Sequence, residues 1–449
     1  MNGVVNREYK YEMDEESPES RCVRTKLQSE EDNYGFGGRC TIQVPNTANS
    51  VLNCANSWLD LSVSFSSLSG TGSSALTGLK MSNIGIYSII SEVLVEQGSN
   101  LLQHTRNHQE IISILNTLNT DEASTLPNSV LAGMPNLTAT RNRFGQAQTV
   151  TVDSNGISGI AKQDFSICLV GILSSVKKLP LFQLNMPLRI SLVFANNINQ
   201  VLYSSLSSTV SSLTGGTAEI RAQYNAEIIT LSDKAINDIK NASNVNTTGI
   251  LAYSDTALEC IVSTVTIAEQ NSVSETIKTQ IQGGLKPQKL LGCLCYGVPT
   301  PNGNTDAYQT LNYGSNSFQL RLGSKLHPPR AYEKAENARA AIGVFGQTDL
   351  TLATNQLSVA YNKNNQRQNP TTDAQSIDKP LHFGVVGGHS FKSWFDSRDG
   401  IDSSNKQMET IVSLKAGSVT ATFDIRSCFL KRYGIIVSVS ADGQMSVNH

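Results

Sequence analysis

The sequence predicts an all-β protein made of two successive antiparallel units, each a sandwich or a jelly roll. Charged residues make up only 16% of the 449 residues and apolar residues 39%. Ser, Thr, Asn and Gln fill the difference, which is typical of β-rich chains rather than helical bundles. Short segments alternate apolar and polar residues with a period of two. The regular strand–helix alternation needed for a parallel sheet is missing.

Length, charge and cysteine usage narrow the class of protein further. A chain of 449 residues has room for two or three domains of roughly 150 residues. The net charge of −2 lacks the basic footprint of a nucleic-acid-binding protein. Eight scattered cysteines form no disulfide framework, so we expect reduced thiols and synthesis inside the cell. No apolar run approaches the ~18 residues of a membrane span, and the charged first twenty residues do not resemble a signal peptide.

The first unit is predicted from residue 38 to residue 231. Residues 1–37 are polar, mixed in charge and poor in apolar residues, so we expect a flexible N-terminal arm that can order against a partner. Strands are predicted where the alternation is clearest, including residues 58–65 and 219–228.

A helix is predicted after Asn107, its expected N-cap, with Glu110 three residues on. Ile111, Ile112 and Leu115 share one face of this helix, which indicates a lid on a sheet.

The segment at residues 177–195, KKLPLFQLNMPLRISLVFA, combines two prolines with an arginine inside an apolar run. Alternation from Leu188 to Phe194 places Arg189 on the face opposite the core, toward water or a neighbouring surface. Pro180 and Pro187 lack N–H donors, so they are predicted to bracket a bend outside any central strand.

The second unit repeats the order of elements. Residues 232–249 are predicted as a helical linker with Ser232 as N-cap. Residues 250–449 form the second unit, with an alanine-rich helix at 333–346 between its strands. Asp442-Gly443, between two alternating runs, indicates a hairpin turn near the C-terminus.

No group of residues in the sequence has the pattern of a catalytic, cofactor-binding or metal site. The sequence lacks a P-loop, GxGxxG after a strand, HExxH and GxSxG. His104 and His108 have a zinc-compatible spacing without a third ligand, and Cys293 and Cys295 share one strand face, where buried thiols are the simpler interpretation. Asp396, Asp399 and Asp402 lack the spacing of a calcium loop. We therefore expect no catalytic, cofactor-binding or metal residues, no cofactor, and a protein that is not an enzyme.

Several segments, in their order along the chain, carry a family resemblance. They are IQVPNTANSVLNCANSWLDLSVSF (42–65), SEVLVEQGSNLLQHTRNHQEIISIL (91–115), LVGILSSVKKLPLFQLNMPLRISLVFA (169–195), FQLRLGSKLHPPRAYEKAENARAAIGVFG (318–346) and FLKRYGIIVSVSADGQMSV (429–447). Their order resembles the double jelly-roll major capsid proteins of tailless icosahedral DNA viruses. The similarity is to the Polinton-like, adintovirus and virophage branch, and more distantly to the adenovirus hexon.

The resemblance implies two tandem eight-stranded jelly rolls standing side by side, and a homotrimer of pseudo-hexagonal outline that tiles the facets of an icosahedral virion. It implies as partners other copies of the chain and neighbouring trimers, penton (vertex) and minor capsid proteins, and in many members an internal membrane, but no sequence-specific nucleic acid. It places the protein in the virion after synthesis in the host cytoplasm. The N-terminal arm is then expected to act as a strap under the shell.

Two other functions remain open from the residues alone. A tandem β-sandwich could bind glycans or act as an adhesive spike or fibre domain, which predicts exposed aromatic residues clustered at a loop end. The chain has two tryptophans, Trp58 in a strand and Trp394 in a loop. A hydrolase on a jelly-roll scaffold is the third alternative, since carboxylate pairs are set by folding rather than by local sequence.

Overall fold

The computed structural model describes most of both predicted units. The described residues are 19–70, 79–82, 84–119, 131–133, 150–152, 158–175, 178–204, 213–242, 251–267, 273–281, 289–301, 307–308, 315–333, 336, 340, 343–344, 387–391, 400–403, 406–416, 423–440 and 442–448. All strand pairs among them are antiparallel, and no sheet combines a strand before residue 232 with a strand after residue 250.

The N-terminal half has a seven-stranded sheet (order β10-β3-β13-β4-β9-β8, with β1 paired to β13), a four-stranded sheet (β2-β11-β6-β7) and a short pair (β12-β5). Its strands are β1 (Glu19–Gln28), β2 (Arg39–Val44), β3 (Ser50–Asn53), β4 (Trp58–Gly70), β5 (Leu79–Met81), β6 (Ile90–Gln97), β7 (Asn100–Thr105), β8 (Val150–Val152), β9 (Ser158–Ile167), β10 (Lys178–Pro180), β11 (Leu188–Phe194), β12 (Leu202–Ser204) and β13 (Leu213–Leu231).

The C-terminal half has a six-stranded sheet (β14-β22-β16-β19, with β20 on β16 and β23 on β22) and a four-stranded sheet (β15-β21-β17-β18). Its strands are β14 (Leu251–Ile267), β15 (Val273–Ile281), β16 (Lys289–Pro299), β17 (Ser315–Leu322), β18 (Lys325–Glu333), β19 (Gly387–Ser390), β20 (Ile401–Asp402), β21 (Met408–Ala416), β22 (Phe423–Val439) and β23 (Met445–Asn448).

Each half is thus an antiparallel sandwich, which confirms the predicted fold class. The described strands exceed eight per half because short strands such as β8, β10 and β20 extend the edges of the larger sheets. Alternation along the long strands fills the cores: Leu59, Leu61, Val63 and Phe65 of β4 are all buried, while the even-numbered residues between them face outward.

The proline-flanked segment has the predicted geometry. Arg189 is exposed, and Leu188, Ile190, Leu192 and Phe194 are buried. Pro180 ends β10, the edge strand of its sheet, and Pro187 directly precedes β11, so neither removes a donor from a central ladder.

The predicted flexible arm at 1–37 is wrong for its second part; residues 1–18 lie outside the described residues. Glu19–Gln28 form β1, which pairs with β13 from Glu19↔Leu231 to Gln28↔Gln223. Tyr34 is 7% exposed and bonds through its backbone to Ile220. The sequence analysis missed this strand because of its polar composition. Basic residues on its outward face make the segment resemble a polar arm, although Val23, Thr25 and Leu27 alternate as in a strand.

Three α-helices are described: α1 (His108–Asn119), α2 (Ile172–Ser175) and α3 (Asp233–Ala242). The Ser232 cap of α3 is confirmed, because the Ala235 N–H donates to Ser232 Oγ at 3.2 Å. Of the helix predicted at 333–346, Glu336, Ala340 and Gly343 have helical backbone, and most of the segment lies outside the described residues.

The N-terminal turn of α1 is buried on all sides: residues 108–114 are all buried. A lid on a sheet, as predicted for this helix, would leave the outer side of the helix exposed, so the prediction is wrong for this turn. A second surface covers the polar side of the helix, and that surface belongs to the other half of the chain.

Candidate functional site

A group of buried polar contacts lies where the described parts of the two halves touch, a region that we call the seam. On the N-terminal side the seam consists of α1, the β6–β7 turn and residues 183–186. On the C-terminal side it consists of β14, β16, residues 307–308 and the β22–β23 hairpin. Because each half supplies both apolar and polar groups, the seam fixes how the two sandwiches stand relative to each other.

Helix α1 divides its apolar residues between the two halves. Ile112 packs into the core of the N-terminal half. Ile111 and Ile114 pack against β14, β16 and β22, in a cluster with residues of the other half. That cluster contains Cys260, Leu294, Tyr296, Val298, Val344, Cys428 and Leu430. Helix α1 therefore packs against apolar residues of both halves.

A buried ion pair joins α1 to β22. The carboxylate of Glu110 accepts a hydrogen bond from the guanidinium of Arg426, with side chains 4% and 12% exposed. Arg426 also donates to the Ala307 carbonyl at 2.5 Å, and its Cζ lies 5.3 Å from the Tyr308 ring centroid. Burial alone would lower the pKa of Arg426, but the adjacent Glu110 outweighs it and raises that pKa. Each charge is tolerated in this low-dielectric site only because the other is present.

Three neutral hydrogen bonds surround the ion pair. The Asn107 amide donates to the Cys260 carbonyl at 2.9 Å. The Tyr296 hydroxyl donates to the Glu110 carbonyl, and the Ser113 hydroxyl donates to the Tyr308 carbonyl, each at 2.6 Å. Asn107 has φ +51°, a left-handed conformation that Asn tolerates well, and this sharp entry places the first turn of α1 against β14.

A second contact lies at the end of the seam, around Gln97 in the β6–β7 turn. The buried Gln97 amide donates to the Gly443 carbonyl at 2.8 Å and accepts from the Met445 N–H at 2.6 Å. The Asn185 N–H also donates to the Gly443 carbonyl, at 3.0 Å. Gly443 has φ +81°, and a Cβ there would lie 2.6 Å from backbone atoms of Gln183 and Asn185. The predicted Asp442-Gly443 turn is thus confirmed, and it also holds the two halves together.

His108, the first residue of α1, is fully buried beside the seam. Its ring lies 6.0 Å from the Tyr87 ring, and neither ring nitrogen makes a hydrogen bond of ordinary geometry. Burial lowers the pKa of His108 from 6.5 to about 4, against a smaller opposing effect of the Ile90 backbone. The imidazole is therefore neutral at pH 7, and charging it would require α1 to move or water to enter.

The structure separates the residues that the sequence analysis examined for metal binding. His104 bonds to Glu92 at 2.7 Å, whereas His108 packs against Tyr87. Cys293 and Cys295 share a buried apolar cluster, where burial raises both thiol pKa values, that of Cys295 to about 12. Asp402 is exposed in β20, and Asp396 and Asp399 lie outside the described residues. Within the described part of the chain, no three His, Cys, Asp or Glu side chains are grouped as a metal site would require.

A second polar cluster lies on the outer face of the seven-stranded sheet, around Glu227. Its carboxylate accepts hydrogen bonds from Asn53 at 2.7 Å, Asn56 at 3.1 Å and Arg24 at 2.9 Å. Burial would raise the pKa of Glu227, but these bonds outweigh it and lower that pKa. Arg24 also covers the Trp58 ring, with its Cζ 4.4 Å from the centroid. This cluster attaches β1 to the sheet through its side chains.

Sequence reasoning missed the joint role of Glu110, Arg426, Gln97 and Gly443. One signal was present: Arg426 alternates with Cys428 and Leu430 on one face of β22, and an arginine in an otherwise apolar row indicates a buried partner. Nothing local identified Glu110 as that partner, since 316 positions separate the two residues.

Removing one charge of the seam should destabilise the protein strongly. We expect Arg426→Leu to lower the free energy of unfolding by about 3–5 kcal/mol, because the Glu110 carboxylate stays buried without its counter-charge. The double variant Glu110→Leu/Arg426→Leu should recover most of this loss. Urea unfolding measures both. As a control, Arg330→Leu breaks the exposed pair with Glu336 and should have little effect; equal losses at Arg330 and Arg426 would contradict the proposed importance of burial.

A side chain at Gly443 should also open the seam. We expect Gly443→Ala to cost about 3 kcal/mol, from the positive φ and from overlap with backbone that cannot yield. Gly323→Ala is the matched control, since Gly323 has φ +59° and nothing within 4 Å of its Cβ position; it should cost only about 1 kcal/mol. The melting temperatures of the two variants separate the cost of backbone strain alone (Gly323→Ala) from the cost of strain plus atomic overlap (Gly443→Ala). Equal decreases in melting temperature would refute the tight contact at Gly443.

Acid should weaken the protein through His108. Because the folded-state pKa of about 4 lies below the ordinary value of 6.5, the unfolded chain takes up a proton first. The stabilisation is present above pH 6.5 and is lost as the pH falls toward 4, at up to about 1.4 kcal/mol per pH unit. His108→Phe should flatten this part of the stability curve, measured by urea unfolding between pH 7 and 4.5. A curve for His108→Phe parallel to that of the unchanged protein would contradict the prediction.

By sequence, no family model matches this chain, and no curated protein does. Solved structures do match in fold. A chain of the Sputnik virophage, from its 3.5 Å cryo-EM structure, matches with a TM-score of 0.61 at 13% identity, covering 100% of this chain and 93% of that one. The mavirus major capsid protein matches with a TM-score of 0.59 at 11% identity, covering 100% and 96%.

The Faustovirus major capsid protein also matches, with a TM-score of 0.51 at 8% identity, covering 93% of this chain and 90% of that chain. These likenesses run almost end to end along both chains in each comparison, so they include both sandwiches and their order. The described helices include none long and apolar enough to cross a membrane. The chain has the double jelly-roll fold of these viral major capsid proteins.

Proposed function

We propose that this protein is a major capsid protein that self-assembles into homotrimers of pseudo-hexagonal outline, which tile the facets of an icosahedral virion. The observation that carries the proposal is the seam, which joins the two sandwiches of the double jelly roll. Two sandwiches held by buried contacts behave as one rigid block, and a block repeated three times gives six barrels around a three-fold axis. Closed symmetry then builds a shell from many modest interfaces.

The surface charge of the chain is compatible with dense packing. A net charge of −2 over 449 residues keeps repulsion between neighbouring copies small. Exposed polar residues on rigid strands, such as Arg189 on β11, are available for contact between subunits. In this proposal the first domain is residues 38–231 together with β1 (Glu19–Gln28), the second is residues 250–449, and residues 232–249 are the helical linker between them.

The partners follow from the proposed role. They are other copies of the chain, neighbouring trimers, penton and minor capsid proteins, and an internal membrane beneath the shell. Recognition of a nucleic-acid sequence is not part of the role, and neither is catalysis. We infer that the protein is synthesised in the host cytoplasm and becomes part of the virion of a DNA virus.

A glycan-binding or adhesive role is less well supported. Sugars stack on an uncovered aromatic face, and Arg24 covers the face of Trp58 at 4.4 Å. Trp394 lies outside the described residues. The polar groups around Trp58 are bonded to one another: Trp58 Nε1 donates to Asp60 at 2.9 Å, and Asn53 and Asn56 donate to Glu227. This cluster therefore supports the fold rather than a binding site.

The oligomeric state tests the capsid proposal directly. We expect purified protein to have a native mass of three chains by mass spectrometry, and particles with a six-sided outline and three-fold symmetry by electron microscopy. Arg330→Leu, which alters an exposed ion pair, should still form trimers if it folds normally. A stable monomer at micromolar concentration, without three-fold particles, would overturn the proposal and favour the adhesive alternative.

A further inference from the structure

Two histidines face each other inside the C-terminal sandwich, one from each of its sheets. His327 lies on β18 opposite Leu320 of β17, which is fully buried, so His327 shares the inward face of the four-stranded sheet. His389 lies on β19 opposite Cys293 of β16, which is also fully buried, so His389 shares the inward face of the six-stranded sheet. The centroids of the two imidazole rings are 6.1 Å apart.

Two further rings complete this contact between the sheets. The Phe391 ring, directly after β19, packs edge to face on both histidines, with centroids 4.7 Å from His389 and 5.2 Å from His327. The Tyr332 hydroxyl, on β18, lies 3.3 Å from His389 Nδ1. We call these four residues the ring cluster. Among the described strands, β18 and β19 each lie at one end of their sheets, so the ring cluster joins the end strands of the sandwich.

Positive charge lies near His327. Burial lowers its pKa most, and Lys325 on the same strand and Lys406 just before β21 lower that pKa further. The Nε2 atom of His327 is buried and makes no hydrogen bond within the described part of the chain. A proton on this ring would therefore add a third positive charge to the same region.

The groups that flank His389 are neutral. Burial, followed by the effect of His327, lowers the pKa of His389 from 6.5 to about 4. Burial raises the pKa of Tyr332 and that of the Cys293 thiol, so neither group becomes an anion at or below pH 7. A protonated His389 would therefore gain no negative charge from these two neighbours.

Carboxylates on the elements around the ring cluster bind other cations. Among the described residues these pairs are Glu409 of β21 with Arg321 at 2.9 Å, Glu336 with Arg330 at 2.7 Å, and Glu259 of β14 with Lys431, the neighbour of Cys293 on β22, at 2.6 Å. Asp402 of β20 is exposed, and its backbone carbonyl accepts a hydrogen bond from Lys406 at 2.6 Å. The three paired carboxylates would have to leave their partners to neutralise a charged histidine.

We propose that the ring cluster is an acid-sensitive latch between β18 and β19. At pH 7 both imidazoles are neutral and the four rings pack together. In acid, protonation of His327 and His389 places two cations in contact beside Lys325 and Lys406, and their repulsion separates the end strands and opens this side of the C-terminal sandwich. The proposal does not depend on the capsid function.

The direction of the pH dependence follows from the two histidine pKa values. Water reaches both rings in the open form, so their pKa returns toward 6.5, above the values in the closed form. The open form therefore takes up protons first. The closed form is favoured above pH 6.5 and is progressively lost as the pH falls toward 4. Between pH 7 and pH 5 the open population should rise about tenfold.

The native Cys293 thiol reports this opening without any substitution, because it is fully buried next to His389. We label the full chain with 4,4′-dithiodipyridine, which reacts with thiols in acid as well as at neutral pH. Labelled peptides are identified by mass spectrometry, and each rate is divided by that of glutathione at the same pH. The Cys293 rate should rise about tenfold from pH 7 to pH 5. Cys54, buried in the N-terminal half, should change little.

Either of two results with the unsubstituted chain would overturn the proposal. A constant Cys293 rate would mean that acid does not open the ring cluster. An equal rise at Cys293 and Cys54 would mean that acid unfolds the whole chain rather than this side of one sandwich.

Substitution of the histidines assigns the response to the ring cluster. His327→Phe/His389→Phe retains aromatic rings but removes both titrating groups, so Cys293 should stay slow to react at pH 5. His108→Phe is the matched control, because it makes the same change at a buried histidine of the seam, and it should keep the acid response of Cys293. If the double variant does not fold, His389→Phe alone should reduce the response. A full acid response in a folded variant without these histidines would overturn the proposal.

Discussion

The ion pair between Glu110 and Arg426 is the constraint on which the rest of this structure depends. Two charges have been taken out of water at the contact between the sandwiches, and neither can be separated from the other without a large desolvation cost. Apolar packing alone would allow the sandwiches to slide, since hydrophobic contact has no direction. The ion pair, with the hydrogen bonds of Asn107, Ser113 and Tyr296 around it, selects one arrangement.

This constraint explains why a small helix matters in a protein built of strands. Helix α1 contributes Ile112 to one core and Ile111 and Ile114 to the cluster shared with the other half, while its first turn carries Glu110. The acidic residue is also favourable in that position, because the N-terminal end of a helix dipole is positive. A rigid two-barrel block is useful to a protein that must present the same faces to many neighbours, whereas a flexibly linked pair would lose entropy at every contact.

The sequence predicted the periodic parts of the fold, where each strand follows from its own residues. The helix cap at Ser232 and the turn at Asp442-Gly443 could also be predicted, because a cap and a turn depend only on neighbouring residues. The seam could not be predicted from the sequence, because Arg426 pairs with a residue 316 positions away. In addition, the polar residues of α1 have the same pattern as the solvent-exposed side of a helix. Strand β1 was missed for a related reason: its outward Arg24 and Lys26 give the segment the composition of a polar arm, although the inward residues alternate correctly. Local pattern identifies an element, but burial by a distant segment decides what its polar face contacts.

The same reasoning separates the two polar clusters of the chain. The Glu227 cluster lies on one sheet face and joins β1 and β13 to residues just before β4, all within the N-terminal half. The Glu110 cluster joins two halves that share no strand ladder among the described strands. Loss of the first affects how β1 is held, but loss of the second removes directional contacts between the sandwiches. If the protein works as a rigid block in a shell, a substitution in the seam changes the angle between the two barrels in every copy. A single substitution in the seam should therefore impair assembly more than a single substitution in the Glu227 cluster.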